Sequence, residues 1–361
     1  MISPNISIII PTYNVSKYIE KCLLSVLNQD FEGPIEILVI DDCGNDDSIS
    51  KVETIISQHP RGELARVIHH EANKGLGPSR NTGVENAQGQ YIFFLDSDDW
   101  ISPNCLKLLY NKIIDTNADV VVGSVLRVEE DTERVISRNI YPEVVVAEPA
   151  CGVYTITHSP DFHIEVWNKL YKSSFLRDNK ICFVHRIFED YYFDFRLRAS
   201  ASKIAFIPDV TLYYNIRQGS ILTNLKASKG TDESVRTFCE IIKYLQQMVV
   251  NEYSSIDGIY DLYFQRLIWV VENFQRYRYS PEQWNVIKAG VVGACSFVPT
   301  IDHLNDQRHR FVYENAVVGD NVDSIIDAIL LYQKRQKNKQ LINPKTILYG
   351  ILRKLCSHLE I

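Results

Sequence analysis

Short, mostly apolar runs alternate with helical patterns through the first third of the chain, and this alternation limits the fold more than any other feature. Ile6–Ile10 reads as a buried strand. Ile19, Cys22, Leu23, Val26 and Leu27 then recur at helical spacing. Ile35–Ile40 is the next strand, with a helix over about Ser48–Ser57 behind it. Val67–His70, Tyr91–Leu95 and Val120–Val122 continue the series. Strands alternating with helices predict βαβ units and a mainly parallel sheet. The polar stretch Arg127–Arg138 breaks the rhythm and predicts an excursion or hairpin.

From about residue 226 the pattern changes to long helices, over Val235–Val250, Tyr260–Tyr277 and Val322–Tyr332. A boundary near residue 225 is therefore expected. The chain of 361 residues then divides into an α/β region over 1–225, with halves of about 1–125 and 126–225, a helical region over 226–333, and a final segment over 334–361. That last segment carries seven Lys or Arg against one acid, Glu360. Within it Ile347, Leu348, Ile351, Leu352, Leu355 and Leu359 share one helical face. Such a helix either packs on its own domain or lies on an anionic membrane surface.

The net charge of −7 argues against general nucleic-acid binding. Eight scattered cysteines, with no Cys-x-x-Cys pair, are not expected to form a zinc site or a disulfide framework. No apolar run is long enough to cross a membrane and no signal peptide is indicated, so a cytoplasmic protein is expected.

The strongest chemical signal is Phe93-Phe94-Leu95-Asp96-Ser97-Asp98-Asp99. An apolar strand ends abruptly in three carboxylates, and ligands of open parallel sheets bind beyond such strand ends. Crowded carboxylates repel one another unless a positive charge lies between them. Mn²⁺ or Mg²⁺ would supply it. The plainer reading is a solvated turn capping the next helix. A second acidic pair, Asp41-Asp42, ends the strand Ile37–Ile40, where an acceptor group could meet the imide N–H of a nucleobase or merely cap a helix. In Asn73-Lys74-Gly75-Leu76-Gly77-Pro78-Ser79-Arg80, two glycines and two cations precede a helix expected to begin near Ser79. That set suits a diphosphate, although it lacks the Gly-x-Gly-x-x-Gly and Walker spacings. Glu189-Asp190 stands before an aromatic helix start and offers either a general base or a helix-terminal acid. Trp167-Asn168-Lys169-Leu170-Tyr171 offers a sugar-stacking platform or ordinary core.

Taken in order, these pieces resemble the family-2 glycosyltransferases of GT-A fold, over about residues 5–222. The resemblance opens with Ser7-Ile8-Ile9-Ile10-Pro11-Thr12-Tyr13-Asn14 and runs through Asp41-Asp42, Asn73-Lys74-Gly75, Arg80-Asn81-x-Gly83 and Asp96-Ser97-Asp98. Trp167–Tyr171, Glu189-Asp190 and Tyr214-x-x-Arg217-x-Gly219-Ser220 extend it. It departs at Cys43-Gly44, where the family more often has a Gly-Ser pair.

The resemblance implies roles. Pro11, Thr12 and Tyr13 would line the nucleoside pocket, and Asp41 would accept from uracil. Lys74 and Arg80 would face the nucleotide and diphosphate. Asp96 and Ser97 would hold the donor, with Asp98, assisted by Asp96, on the metal. Asp190, assisted by Glu189, would be the general base, while Trp167, Asn168, Lys169 and Arg217 would meet the acceptor. The implied enzyme is a metal-dependent, inverting transferase that uses a UDP-sugar. Its implied acceptor is a saccharide of a bacterial surface polysaccharide, carried on a lipid diphosphate. A sugar-nucleotide nucleotidyltransferase would want a Gly-rich basic loop directly after the first strand, where Pro11–Asn14 stands. A binding subunit without catalysis is the other alternative.

Overall fold

The structure is a computed structural model that describes residues 4–147, 164–184, 189–217, 231–255, 258–274 and 279–299, together with 304, 310 and 313. The chain divides into two compact units. One comprises Met1–Ser228 with Tyr253–Leu262, the other Lys229–Glu252 with Tyr263–Ile361. The expected helix Val322–Tyr332, the basic segment 334–361 and Gly219-Ser220 lie outside the described residues.

The first unit is built on one sheet. Its strands are β1 (Ile6–Thr12), β2 (Ile35–Asp41), β3 (Ala65–His69), β4 (Tyr91–Phe94), β5 (Trp100–Ile101), β6 (Val120–Glu129), β7 (Val135–Asn139), β8 (Val144–Ala147), β9 (Lys169–Lys172) and β10 (Lys203–Ile216). The order is β3-β2-β1-β4-β9-β6-β10-β5, with β7 beside β6 and β8 beside β10. Helices α1 (Ile19–Leu27), α2 (Ser48–Gln58), α3 (Leu76–Asn86) and α4 (Cys105–Thr116) connect the early strands, and α5 (Ser173–Asp178) and α6 (Glu189–Ser200) follow β9.

The expected parallel arrangement holds for β3-β2-β1-β4 and for β6 beside β10. Elsewhere the sheet is mixed, because β9 inserts antiparallel between β4 and β6. A parallel strand needs a crossover to return to the same end. The early strands have such helices. The polar stretch after β6 instead turns back directly, and β6 and β7 form the expected hairpin.

Both faces of the early strands are covered, which explains their nearly continuous apolar character. Alternate residues divide between two cores. Ile6, Ile8, Ile10, Ile37, Val39 and Phe93 face one, with Cys22, Leu23 and Val26 of α1. Ile9, Leu38, Ile40, Ile92 and Phe94 face the other, with Phe175 of α5 and Phe193 of α6. Each such side chain, fully buried, contributes about 1.5–3 kcal/mol relative to exposure. Helix α3 lies especially close to β1. A Cβ on Gly83 would stand 2.3 Å from a methyl of Ile9, so only glycine permits that approach.

In the second unit, α7 (Asp232–Met248) begins with a capping box between Thr231 and Ser234. Another, between Ser280 and Gln283, starts α9 (Pro281–Cys295), with proline at its first position. The helix α8 (Ile259–Phe274), which belongs to this unit from Tyr263 onward, precedes it. In this unit the Tyr263 hydroxyl donates to the Ala294 carbonyl at 3.1 Å.

Candidate active site

The parallel strands β1 to β4 deliver their carboxyl ends to one edge. Thr12 stands beside Asp41, and Asp41 beside His69, in strand register. Asp41 shares one oxygen with His69 Nδ1 at 2.8 Å, and its other accepts the Cys43 N–H at 3.1 Å. Pro11 and Thr12 are buried, whereas Tyr13 and Lys74 are exposed. Cys43, the departure from the family pattern, has φ 58°. The family's usual glycine would adopt that left-handed backbone without strain.

Asp42 has a separate task. It is buried, and it accepts from the backbone N–H groups of Lys74 and Gly75, each at 2.8 Å, and meets His70 Nδ1 at 2.8 Å. The other nitrogen of His70 meets the Thr82 hydroxyl at 2.9 Å. This mooring, with Gly75 at φ 91°, starts α3 at Leu76, three residues before the expected Ser79.

Arg80 lies deeper than the loop before it. Its guanidinium faces inward, away from solvent at 1% exposure, and meets three carboxylates. These are Asp96 at 2.8 Å, Glu189 at 2.8 Å and Asp190 at 2.9 Å. A buried guanidinium requires such partners, because desolvating it unpaired is prohibitive. One residue of α3 thereby ties the acidic turn after β4 to the first turn of α6. The ring of Phe183 lies 5.3 Å from the same guanidinium.

The acidic turn is divided among three anchors. Asp96 uses Arg80, Asp98 pairs with Arg217 Nε at 2.7 Å, and Asp99 accepts the Asn215 N–H at 2.8 Å. Ser97 is buried between them. Burial, followed by the charge of Asp96, raises the proton affinity of Asp98 against the pull of Arg217. Asp99 is pushed well above the usual carboxylate range by burial and then by Asp98 and Asp96. Burial likewise drives Asp190 well above that range, and Arg80 opposes the shift.

The expected acceptor residues are placed differently. Trp167 is buried against Tyr214, with ring centroids 5.4 Å apart. Asn168 turns its side chain into the sheet: Nδ2 donates to the carbonyls of Gly123 at 2.6 Å and Ser124 at 3.1 Å, and Oδ1 accepts from Thr211. Lys169 is buried and donates to the Glu165 carbonyl. Burial lowers its pKa to about 8, although Glu165 and Asp194 draw it upward. All three stabilise the sheet around β9. Arg217 stands on Asp98.

Among the described residues no group of three or more His, Cys, Asp or Glu side chains is arranged to hold a metal ion. Asp96 and Asp98 nonetheless fit a hard divalent cation. They offer oxygen alone, and their mutual repulsion is what added positive charge relieves. Such ions often take one or two carboxylates and complete their shell with phosphate oxygens and water. The six described cysteines are free thiols.

The profile of glycosyl transferase family 2 matches residues 7–189, about half of the chain. The chain belongs to glycosyl transferase family 2. Among its family relatives, glycosyltransferase GlyA of Streptococcus pneumoniae is 29% identical over 258 residues, covering 69% of this chain and 36% of GlyA. Poly(ribitol-phosphate) beta-N-acetylglucosaminyltransferase TarS of Staphylococcus aureus is 28% identical over 255 residues, covering 68% of this chain and 40% of TarS. The chain thus spans well under half the length of either relative. The crystal structure of TarS 1-349 in complex with UDP-GlcNAc has a TM-score of 0.64 at 21% identity, covering 91% of this chain and 92% of that one. A mannosyltransferase from Pyrobaculum calidifontis in complex with GDP-Man and Mn²⁺ has a TM-score of 0.52 at 14% identity, covering 92% and 87%. These likenesses establish the α/β GT-A fold. The family match leaves the nucleotidyltransferase alternative without support.

Proposed function

We propose that this chain transfers a sugar from a UDP-sugar to an acceptor hydroxyl with inversion at the anomeric carbon. The observation that carries the reading is Arg80, which gathers Asp96 of the donor edge and Glu189 and Asp190 of α6 around one buried charge. Asp41 accepts the uracil imide N–H beside its His69 partner, and Thr12 and Tyr13 border the nucleoside. Lys74, exposed on the moored loop, is available to the diphosphate. Asp190 takes the proton of the acceptor hydroxyl. As that oxygen bonds to the anomeric carbon, the bond to the diphosphate breaks and its electron pair leaves with the diphosphate. A single displacement inverts the centre and needs no protein nucleophile. Asp96 and Asp98 would hold Mn²⁺ or Mg²⁺, which when bound offsets the charge growing on the leaving diphosphate.

The test is release of nucleotide from a panel of UDP-, GDP- and dTDP-sugars with Mn²⁺. One UDP-sugar should turn over, excess EDTA should abolish turnover, and Mn²⁺ should restore it. Full activity in EDTA removes the metal, and preference for GDP, the nucleotide of the Pyrobaculum neighbour's ligand, overturns uridine. No release from any donor leaves the reading of a non-catalytic binding subunit.

The TarS relative, by its name a transferase acting on poly(ribitol-phosphate), supports an acceptor in a bacterial surface polysaccharide, and a lipid-diphosphate carrier fits that role. Among the described residues no helix is long and apolar enough to cross a membrane. We assign residues 334–361 to the inner face of the cytoplasmic membrane, from their basic charge and apolar stripe. Each Lys or Arg near an anionic surface is worth about 1 kcal/mol. Full-length protein should therefore sediment with anionic vesicles, less so in high salt, and truncation after Tyr332 should abolish this. Equal sedimentation of the two proteins would make the segment structural.

A further inference from the structure

Asp98 already has a positive partner among the protein's own side chains. Arg217 follows β10 directly and presents Nε to Asp98 Oδ2 at 2.7 Å. Neither terminal nitrogen of its guanidinium has a hydrogen-bond partner among the described residues. The guanidinium lies over the ring of Tyr18, 5.1 Å from its centroid. The Tyr18 hydroxyl donates to Glu130 Oε1 at 2.5 Å, and Lys17 Nζ reaches the same oxygen at 2.5 Å. Lys21 pairs with Glu133 at 2.7 Å. The turn of the β6–β7 hairpin is thus fastened to the start of α1, and Tyr18 is fixed as a platform beneath Arg217.

This anchorage is unlike that of Arg80. Arg80 is enclosed by three carboxylates, whereas Arg217 retains 20% side-chain exposure and pairs with one carboxylate among the described residues. It can let go of Asp98 without leaving its aromatic platform. Two positive centres on one partly buried carboxylate repel each other. A divalent cation on Asp98 and the Arg217 ion pair are therefore competitors.

We propose that Arg217 is a placeholder cation, which occupies Asp98 until a divalent metal ion displaces it onto Tyr18. The proposal rests on the metal reading given above for Asp98. Arg217 is then a positioning residue. It keeps the Asp98 carboxylate aimed until metal and donor arrive, and it lowers the affinity for metal alone. Metal would consequently bind better together with the diphosphate than before it, since the phosphate oxygens supply ligands that Asp98 and Asp96 lack.

The test measures Mn²⁺ binding to the full chain by the loss of the free-ion paramagnetic resonance signal, with no donor present. Arg217→Gln removes the charge and nearly keeps the length. It should bind Mn²⁺ more tightly than the unaltered protein, by the roughly 5- to 150-fold typical of coupled sites. Arg217→Lys keeps the charge and should bind as the unaltered protein does. Weaker or equal binding by Arg217→Gln overturns the proposal, as does tighter binding by both variants. Equal but measurable binding by all three proteins defeats the exchange alone. No binding by any of them, even with UDP added, defeats the metal reading as well.

Discussion

Asp190→Asn is expected to lower kcat by about 10²- to 10⁴-fold, the usual contribution of a positioned general base, while UDP affinity stays nearly unchanged. The asparagine has the shape of the carboxylate and can still accept from Arg80 through its carbonyl oxygen. It cannot accept the acceptor's proton. The lost interaction belongs to the transition state, so kcat and kcat/KM should fall together. Calorimetry with UDP and single-turnover transfer measure the two quantities separately. An asparagine variant with unaltered turnover would remove Asp190 from the chemistry. The pH profile follows from the environment of the group. Burial raises its proton affinity well above the ordinary carboxylate range, with Arg80 as the counterweight. The base form exists only above the pKa, so activity should rise with pH, with a midpoint above the roughly 3.9 of an unperturbed aspartate.

Strand ends with acids are legible in a sequence because period, composition and position coincide. Ile37–Asp42 and Phe93–Asp99 gave the edge of the sheet on which the site lies. The hairpin after β6 was legible because Arg127–Arg138 loses the apolar period. What the pattern does not contain is the direction of a side chain. Arg80 lies in a stretch that reads as a phosphate loop, yet helix α3 turns it toward α6, more than a hundred residues away in sequence. Asn168 follows a tryptophan in a motif suggestive of sugar binding. Its φ of 58° and its hydrogen bonds to β6 and β10 make it a tie within the sheet. Asp42 was visible beside Asp41 without its role, since its partners arrive from β3 and the loop before α3. Tyr18 and Glu130 carried no signal. Their contact depends on a hairpin turn folding back on α1, and neither residue type is unusual at its position.

Replacing Arg80 by methionine should have the largest effect on the fold and the site together. The methionine fills similar space but leaves Asp96, Glu189 and Asp190 crowded around an apolar side chain. Removing one partner of a buried ionic cluster typically costs about 3–5 kcal/mol, because the remaining charges stay desolvated. Donor binding and turnover should be lost together, unlike in Asp190→Asn, since Asp96 and Asp190 lose the same support. The direction of the pH effect is fixed. Without the guanidinium, Asp190, which burial already holds well above the usual carboxylate range, loses the charge that opposes that shift. A group whose pKa is raised on folding favours the folded state below its unfolded pKa, and that contribution vanishes as pH rises through the folded pKa. The stability deficit of Arg80→Met should therefore be small in mild acid and largest at neutral pH and above. Denaturant unfolding of both proteins across that range measures it. Arg80→Lys should fall between the two, because an ammonium restores the charge but lacks the planar fork that reaches Asp96 with one nitrogen and Glu189 and Asp190 with the other. A methionine variant as stable as the unaltered protein at every pH would mean that the three carboxylates are not held by Arg80, and the site would have to be rebuilt around another cation.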